Sequence, residues 1–219
     1  MTDTDPTVFV VDDDASVRHS LARLIRSIGF KVEVFSSARE FLNRNHYDGP
    51  GCMVLDVRMP GLSGIQFQEY LAEVDYNMPI IFITGYGNIS MSVKAMKAGA
   101  VDFLTKPFND QDLLDAIHKA IKQHTRIRRE KVELSEIQQC AEALTLRERD
   151  VFVHLVAGML NKQTAYELGI SEKTVKVHRA RIMRKMQAES LPDLVRMSEK
   201  LKRATPPLKS NLYGTKVQL

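Results

Sequence analysis

The chain has 219 residues, 44% hydrophobic and 26% charged, values that exclude a collagen-like, low-complexity or wholly disordered protein and allow one large domain or two small ones. No apolar run approaches the roughly 18–20 residues that span a bilayer, the polar start has no secretory signal, and two distant cysteines, Cys52 and Cys140, make neither a disulfide framework nor a thiolate zinc site; the expectation is a soluble, cytoplasmic protein with no membrane partner. The net charge of +4 is unevenly spread: residues 1–120 hold 11 Lys and Arg against 16 Asp and Glu (net −5), and residues 121–219 hold 20 against 11 (net +9). An acidic half joined to a basic half points to two domains with different partners, the second a candidate for nucleic acid.

In chain order, short apolar runs predict strands over 8–11, 31–35, 52–55, 80–83 and 101–104. Amphipathic patterns between them predict helices over 16–27, 37–43, 64–74 and 88–98, with Ser16 and Ser37 as N-caps and Gly29 and Gly99 as stops. Strands alternating with helices imply crossovers, and so a doubly wound α/β domain around a five-stranded parallel sheet. Its crevice belongs at the carboxyl ends of the strands.

A helix should start near Asn109, since Leu113, Ile117 and Ile121 repeat at helical spacing. It either runs on to about Ala141, some 30 residues and about 45 Å, or breaks near Arg128 into a flexible linker. From Leu144 the pattern is all helical. Thr145 and Glu148 form a capping box, a short helix covers 162–168, and Gly169-Ile170-Ser171 turns into a longer helix over 172–186. Ser190 and Pro192 open a last helix to about Arg203. The expected division is therefore 1–124, a helical linker 125–142, an all-α unit 143–204 and a loose tail 205–219.

The strand ends carry the chemistry. Asp12, Asp13 and Asp14 follow the first strand, Asp56 ends the third, Thr84 the fourth, and Lys106 follows the fifth. Carboxylates gathered at one sheet edge repel and need a cation. An oxygen-only set suits Mg²⁺, which keeps waters and leaves room for a phosphate. Taken singly, each residue is better read as a solvated strand end or a local cap; it is their convergence that is specific. Residues 6–124 resemble the receiver domain of two-component response regulators in Val11-Asp12-Asp13-Asp14, Leu55-Asp56-Val57-Arg58-Met59-Pro60-Gly61, Thr84-Gly85 and Phe103-Leu104-Thr105-Lys106-Pro107. The resemblance implies that Asp56 accepts a phosphoryl group from a sensor histidine kinase. It implies Mg²⁺ on Asp13, Asp56 and the Arg58 backbone carbonyl, with Asp12 acting through water; Asp14 leaves a one-residue shift of the acid pair open. It also implies a cis Lys106-Pro107 bond that turns Lys106 inward, and a switch in which Thr84 and Phe103 move together. The 88–98 helix and the 101–104 strand are the implied dimer face. A haloacid-dehalogenase-like phosphatase would need a general-acid Asp where Arg58 stands, and no glycine-rich phosphate loop follows the first strand.

On the 172–186 helix, Val175, His178, Ile182 and Met186 form one inward stripe. Off it lie Lys173, Thr174, Lys176, Val177, Arg179, Arg181, Arg184 and Lys185. A basic helix behind a short helix and a glycine turn is the helix-turn-helix arrangement, against the plainer reading of a solvated basic surface. Residues 144–203 resemble the LuxR-type DNA-binding domain in Leu144-Thr145-Leu146-Arg147-Glu148-Arg149, Asn161-Lys162-Gln163-Thr164-Ala165 and 171–178. That implies a scaffold helix starting near Lys162 and a recognition helix carrying Lys173, Thr174, Lys176, Val177, His178, Arg179, Arg181 and Arg184. Lys176 would donate to guanine and Val177 touch a thymine methyl, while Lys173, Thr174 and Arg179 meet phosphates. Ala180 departs from relatives that read a base with Lys there. Both resemblances together define the NarL/FixJ class. They imply a transcription regulator, expected to be an activator, that dimerises on phosphorylation, binds promoter DNA and meets RNA polymerase, and that is no turnover enzyme beyond its own phosphotransfer and dephosphorylation. The alternative is a phosphotransfer module or phosphatase with an inert second half.

Overall fold

A computed structural model describes residues 5–45, 47–74, 76–85 and 89–204. Two compact units divide between Arg129 and Glu130. The first holds five strands: β1 (Thr7–Val11), β2 (Lys31–Phe35), β3 (Gly51–Asp56), β4 (Ile80–Thr84) and β5 (Asp102–Thr105). They form one parallel sheet in the order β2-β1-β3-β4-β5. Helices α1 (Ala15–Ser27), α2 (Ala38–Leu42), α3 (Gly64–Glu73) and α4 (Ile89–Lys97) fill the crossovers, and α5 (Asp110–Glu142) follows β5. The doubly wound α/β fold is the one the alternating pattern called for.

Because successive strand residues face opposite ways, the central strands feed two cores. Phe9, Val11, Met53, Leu55 and Phe82 pack with Phe41, Phe67, Leu71 and Ala95 of α2, α3 and α4. Val8, Val10, Val54, Ile81 and Ile83 pack with Leu21 and Ile25 of α1 and Leu113, Ile117 and Ile121 of α5. Burial on both faces explains why these strands read as unbroken apolar runs rather than as alternation.

Two expectations need correction, and one alternative is decided. The N-cap of α1 is Asp14, not Ser16: the Asp14 carboxylate accepts from the Ser16 and Val17 amides at 2.7 and 3.3 Å, so the helix starts two residues earlier. Of the two courses open to the helix after β5, the structure takes the continuous one: α5 is a single helix of 33 residues, without a break near Arg128. Residues 130–142 are also not a bare linker. Ile137 is buried in the second core, with Cys140 and Ala141 packed beside it at helical spacing. Ser37 does cap α2, and Gly29 and Gly99 take positive φ at helix ends. The start of the predicted 88–98 helix at Asn88 and the 205–219 tail lie outside the described residues.

The second unit contains α6 (Leu146–Val156), α7 (Asn161–Leu168), α8 (Glu172–Lys185) and α9 (Leu191–Ala204). The Thr145–Glu148 capping box forms, with the Glu148 amide donating to Thr145 Oγ1 and the Thr145 amide to Glu148 Oε2. Gly169 ends α7 in the left-handed region at φ 63°, where a side chain would be strained, and Ser171 caps α8. Leu144, Val151, Leu155, Val175, Ile182, Met186 and Leu194 make its core. Among the described residues, no helix is long and apolar enough to cross a membrane.

Candidate functional site

Strand order determines what meets at the carboxyl edge. The central strands β1 and β3 run side by side with Val11 opposite Leu55, which makes Asp12 and Asp56 neighbours. Thr84 ends β4 opposite Thr105, the last residue of β5 before Lys106. Lys106 reaches back across this edge. Its Nζ donates to Asp12 Oδ2 at 2.8 Å and to Asp56 Oδ1 at 3.0 Å. The remaining oxygens are also occupied: Asp12 Oδ1 accepts from the Asp14 amide at 2.9 Å, and Asp56 Oδ2 from the Arg58 amide at 2.6 Å. The Lys106-Pro107 bond is cis, and the Lys106 amide donates to the Thr84 carbonyl at 2.7 Å.

The carboxylates are buried, Asp12 at 1% exposure and Asp56 at 5%. Burial pushes the Asp56 carboxyl above its usual range, the Lys106 ammonium opposes this without overcoming it, and the Asp12 charge adds to the rise. Burial would pull Lys106 down, but its hydrogen bonds to Asp12 and Asp56 outweigh that and hold the ammonium above its ordinary value. The site thus has a carboxylate reluctant to stay charged beside a cation that stays charged. Gly64 is needed just beneath: a Cβ there would stand 2.3 Å from the Asp56 carbonyl oxygen, so only glycine lets α3 begin this close to the end of β3.

Of the expected metal set, the structure brings together Asp12 and Asp56, with Arg58 following on the same loop. Asp13 does not join them. It is exposed, and its side chain has no hydrogen bond or ion pair among the described residues. Among those residues no three Asp, Glu, His or Cys side chains group closely enough to hold a metal ion. The reason is local. Asp14 caps α1 through its Oδ1, and Asp13 is exposed on the turn into that cap. Asp12 meets Lys106 directly at 2.8 Å. The two buried carboxylates still suit Mg²⁺, which commonly takes one or two carboxylates and fills its octahedron with waters. Thr84 is fully buried, and Phe103 is half-buried with its ring 6.2 Å from that of Phe82.

In the second unit the inward stripe is real: Val175, Ile182 and Met186 are buried, and the His178 Nδ1 is buried without a partner among the described residues. Lys173, Lys176, Val177, Arg181 and Arg184 are exposed on α8, and Lys162 on α7, while Arg179 is half-buried within 3.5 Å of Asn161 Oδ1. Thr174 is engaged locally, its hydroxyl 2.8 Å from the Ser171 hydroxyl at the α8 cap. Lys176 lies 3.7 Å from Glu172, an exposed pair of small worth. Lys185 is misplaced by the sequence pattern. It turns back from the outward set to donate to Glu148 Oε2 at 2.6 Å and to the Ala143 carbonyl at 3.0 Å, tying the end of α8 to the start of α6. The Lys185 ammonium holds the Glu148 carboxyl down at about 2. A partner 37 residues away leaves no periodic signal.

Residues 8–118 match the response regulator receiver domain. The chain belongs to the response regulator family. Residues 142–198 of this response regulator match the luxR family of bacterial regulatory proteins. It is 50% identical over 202 residues to response regulator protein TmoT of Ectopseudomonas mendocina, covering 92% of each chain. It is 44% identical over 195 residues to transcriptional regulatory protein FixJ of Rhizobium meliloti, covering 89% of this chain and 96% of that one. The solved structure of response regulator StyR is 49% identical, with a TM-score of 0.82 over 90% of this chain and all of that one. A receiver followed by a LuxR-type DNA-binding domain makes this a phosphorylation-controlled transcription regulator of the NarL/FixJ class, with the sensor kinase and promoter DNA that such a make-up implies. The match to the luxR family removes the ground for an inert second half.

Proposed function

We propose that Asp56 is the phosphoacceptor of this regulator. The observation that carries the reading is Lys106 Nζ, which bridges the buried Asp12 and Asp56 carboxylates at 2.8 and 3.0 Å where the central strands end. Asp12, Asp13, Asp56 and the Arg58 backbone carbonyl would hold Mg²⁺, directly or through its waters, and the ion would neutralise charge on the transferring group. A carboxylate oxygen of Asp56 attacks phosphorus of the kinase's phosphohistidine; the P–O bond forms as the N–P bond breaks, and the imidazole recovers a proton. Lys106 offsets the charge gathering on the phosphoryl oxygens, so the chain contributes positioning and charge rather than covalent machinery.

The product carries extra negative charge and acceptor oxygens. Thr84, buried at the same edge, supplies a hydroxyl to it, and Phe103 moves inward as Thr84 turns. Dimerisation follows through α4, whose Ile89, Val93 and Met96 are exposed at 84%, 44% and 45%. Two recognition helices then share one DNA element, and affinity rises through effective concentration. Lys176 and Val177 read bases; Lys162, Lys173, Thr174, Arg179, Arg181 and Arg184 meet phosphates, with His178 packed behind them. The regulator acts in the cytoplasm as an activator that contacts RNA polymerase.

Labelling tests the assignment. The full chain with acetyl phosphate and Mg²⁺ takes up acid-stable, base-labile phosphate on Asp56, and Asp56→Asn takes up none. Retained label in the variant moves the acceptor elsewhere.

A further inference from the structure

Helix α5 carries a feature that phosphotransfer does not use. Lys119, Lys122, Arg126 and Arg129 recur at i, i+3, i+7 and i+10, which places them in one row. All four are exposed. The row lies roughly opposite the buried one of Leu113, Ala116, Ile117, Ala120 and Ile121. Neighbouring like charges at these spacings repel, so helix stability does not favour the arrangement. Lys119, Lys122 and Arg129 have no hydrogen bond or ion pair among the described residues. The acid best placed to neutralise Lys119, Asp115 four residues earlier, accepts from Gln111 Nε2 at 2.8 Å instead. The row stands on the unit that ends at Arg129, which without these four residues holds 11 Lys and Arg against 16 Asp and Glu (net −5), so general solubility does not call for it. It ends at Arg129, the last residue before the unit that bears the DNA-binding helices.

We infer that the α5 row is a second, sequence-independent nucleic-acid surface, which binds the phosphate backbone of DNA held by the C-terminal unit. The inference rests on DNA binding by that unit. Once the unit is on a duplex, the tethered receiver meets a polyanion at high effective concentration. A row of exposed ammonium and guanidinium groups then gains by releasing counterions condensed on the duplex. Lys119, Lys122 and Arg129 are long, flexible and paired with no acid among the described residues, as backbone contacts without base reading require. An acidic protein surface, such as that of a sensor kinase, fits the charge too. DNA is favoured because the row adjoins the family's own DNA-binding half in the chain.

The test is the salt dependence of binding. The full chain and a Lys119→Gln/Lys122→Gln/Arg129→Gln variant are titrated onto a duplex of arbitrary sequence across a range of KCl. Each lost phosphate contact lowers the slope of log K against log salt by about 0.9. The variant should therefore show a slope shallower by about 1 or more, while Lys119→Arg/Lys122→Arg/Arg129→Lys keeps the slope of the parent. Acetyl phosphate labelling of Asp56 at the parent's rate confirms that the neutral variant is folded; should it not be, Lys122→Gln alone gives a change of about 0.9. Equal slopes overturn the inference. Equal slopes with slowed phosphotransfer from the kinase also overturn it, and assign the row to the kinase. A parent chain that binds no duplex at all would instead defeat DNA binding by the C-terminal unit, a failure distinct from that of the α5 row.

Discussion

Removing the cation at the strand edge should unbalance the receiver in a pH-dependent way. In Lys106→Met the ammonium is lost, and Asp12 and Asp56, with side chains 1% and 8% exposed, face each other without it. Removing one partner of a fully buried pair costs about 3–5 kcal/mol. Lys106 is 26% exposed, so water relieves part of this, and about 2 kcal/mol is expected near neutral pH. For a domain of this size that corresponds to a fall of roughly 6–8 °C in the receiver's unfolding temperature. The signs follow from the shifts. Asp56 is raised, so the penalty for ionising it in the fold is absent below the ordinary carboxylate range and complete above its folded value. Loss of Lys106 enlarges that penalty, so the gap between variant and parent should narrow as the pH falls toward 4. Lys106 is itself raised above the usual 10.5, so its contribution is whole below that value and fades as the pH climbs through its folded value. The gap should narrow at high pH as well. Calorimetry of the full chain at several pH values reads both arms, and Mg²⁺ should recover more stability in the variant than in the parent. A gap that is flat with pH, or a variant as stable as the parent at pH 7, would refute the reasoning.

Two further changes probe the second unit. Lys176→Ala should relax base preference at one half-site position, costing about 1–3 kcal/mol against the preferred base, which selection from a random DNA pool detects as a flattened column. Glu148→Gln should loosen the join between α6 and α8. Glu148 is held at about 2 against an ordinary 4.5, so its stabilisation is present above about 4.5 and is lost as the pH falls toward 2. The Lys185 partner is 30% exposed, which leaves about 1–2 kcal/mol of the full shift. Hydrogen exchange of α6 should thus be faster in the variant at pH 7 and the same in both proteins near pH 2.

Much of this architecture is legible along the chain, for local reasons. The parallel sheet shows because β1, β3 and β4 are buried on both faces and become continuous apolar runs. The capping box at Thr145 and the glycine turn at Gly169 show because their partners lie within a few residues. The acidic edge shows as residue types at strand ends. The roles within the triple-acid run do not, because three adjacent aspartates look alike until one of them caps a helix. Asp14 takes the cap, Asp12 the Lys106 contact, and Asp13 faces solvent. The same blindness hid Lys185, which belongs by spacing to the basic face of α8 but is drawn away by Glu148. It also hid the packing of Ile137, since one apolar face on a charged stretch resembles a linker until a second core is there to receive it.

The most direct measurement of the central claim is DNA affinity before and after phosphorylation. DNA selected by the phosphorylated parent is titrated with the parent and with Asp56→Asn, each with and without acetyl phosphate and Mg²⁺. The phosphoryl donor should tighten binding by the parent about tenfold or more, equivalent to about 1.4 kcal/mol, and should leave Asp56→Asn unmoved. Equal affinity for the labelled and unlabelled parent, or the same gain in Asp56→Asn, would contradict control of the DNA-binding half by a phosphate on Asp56.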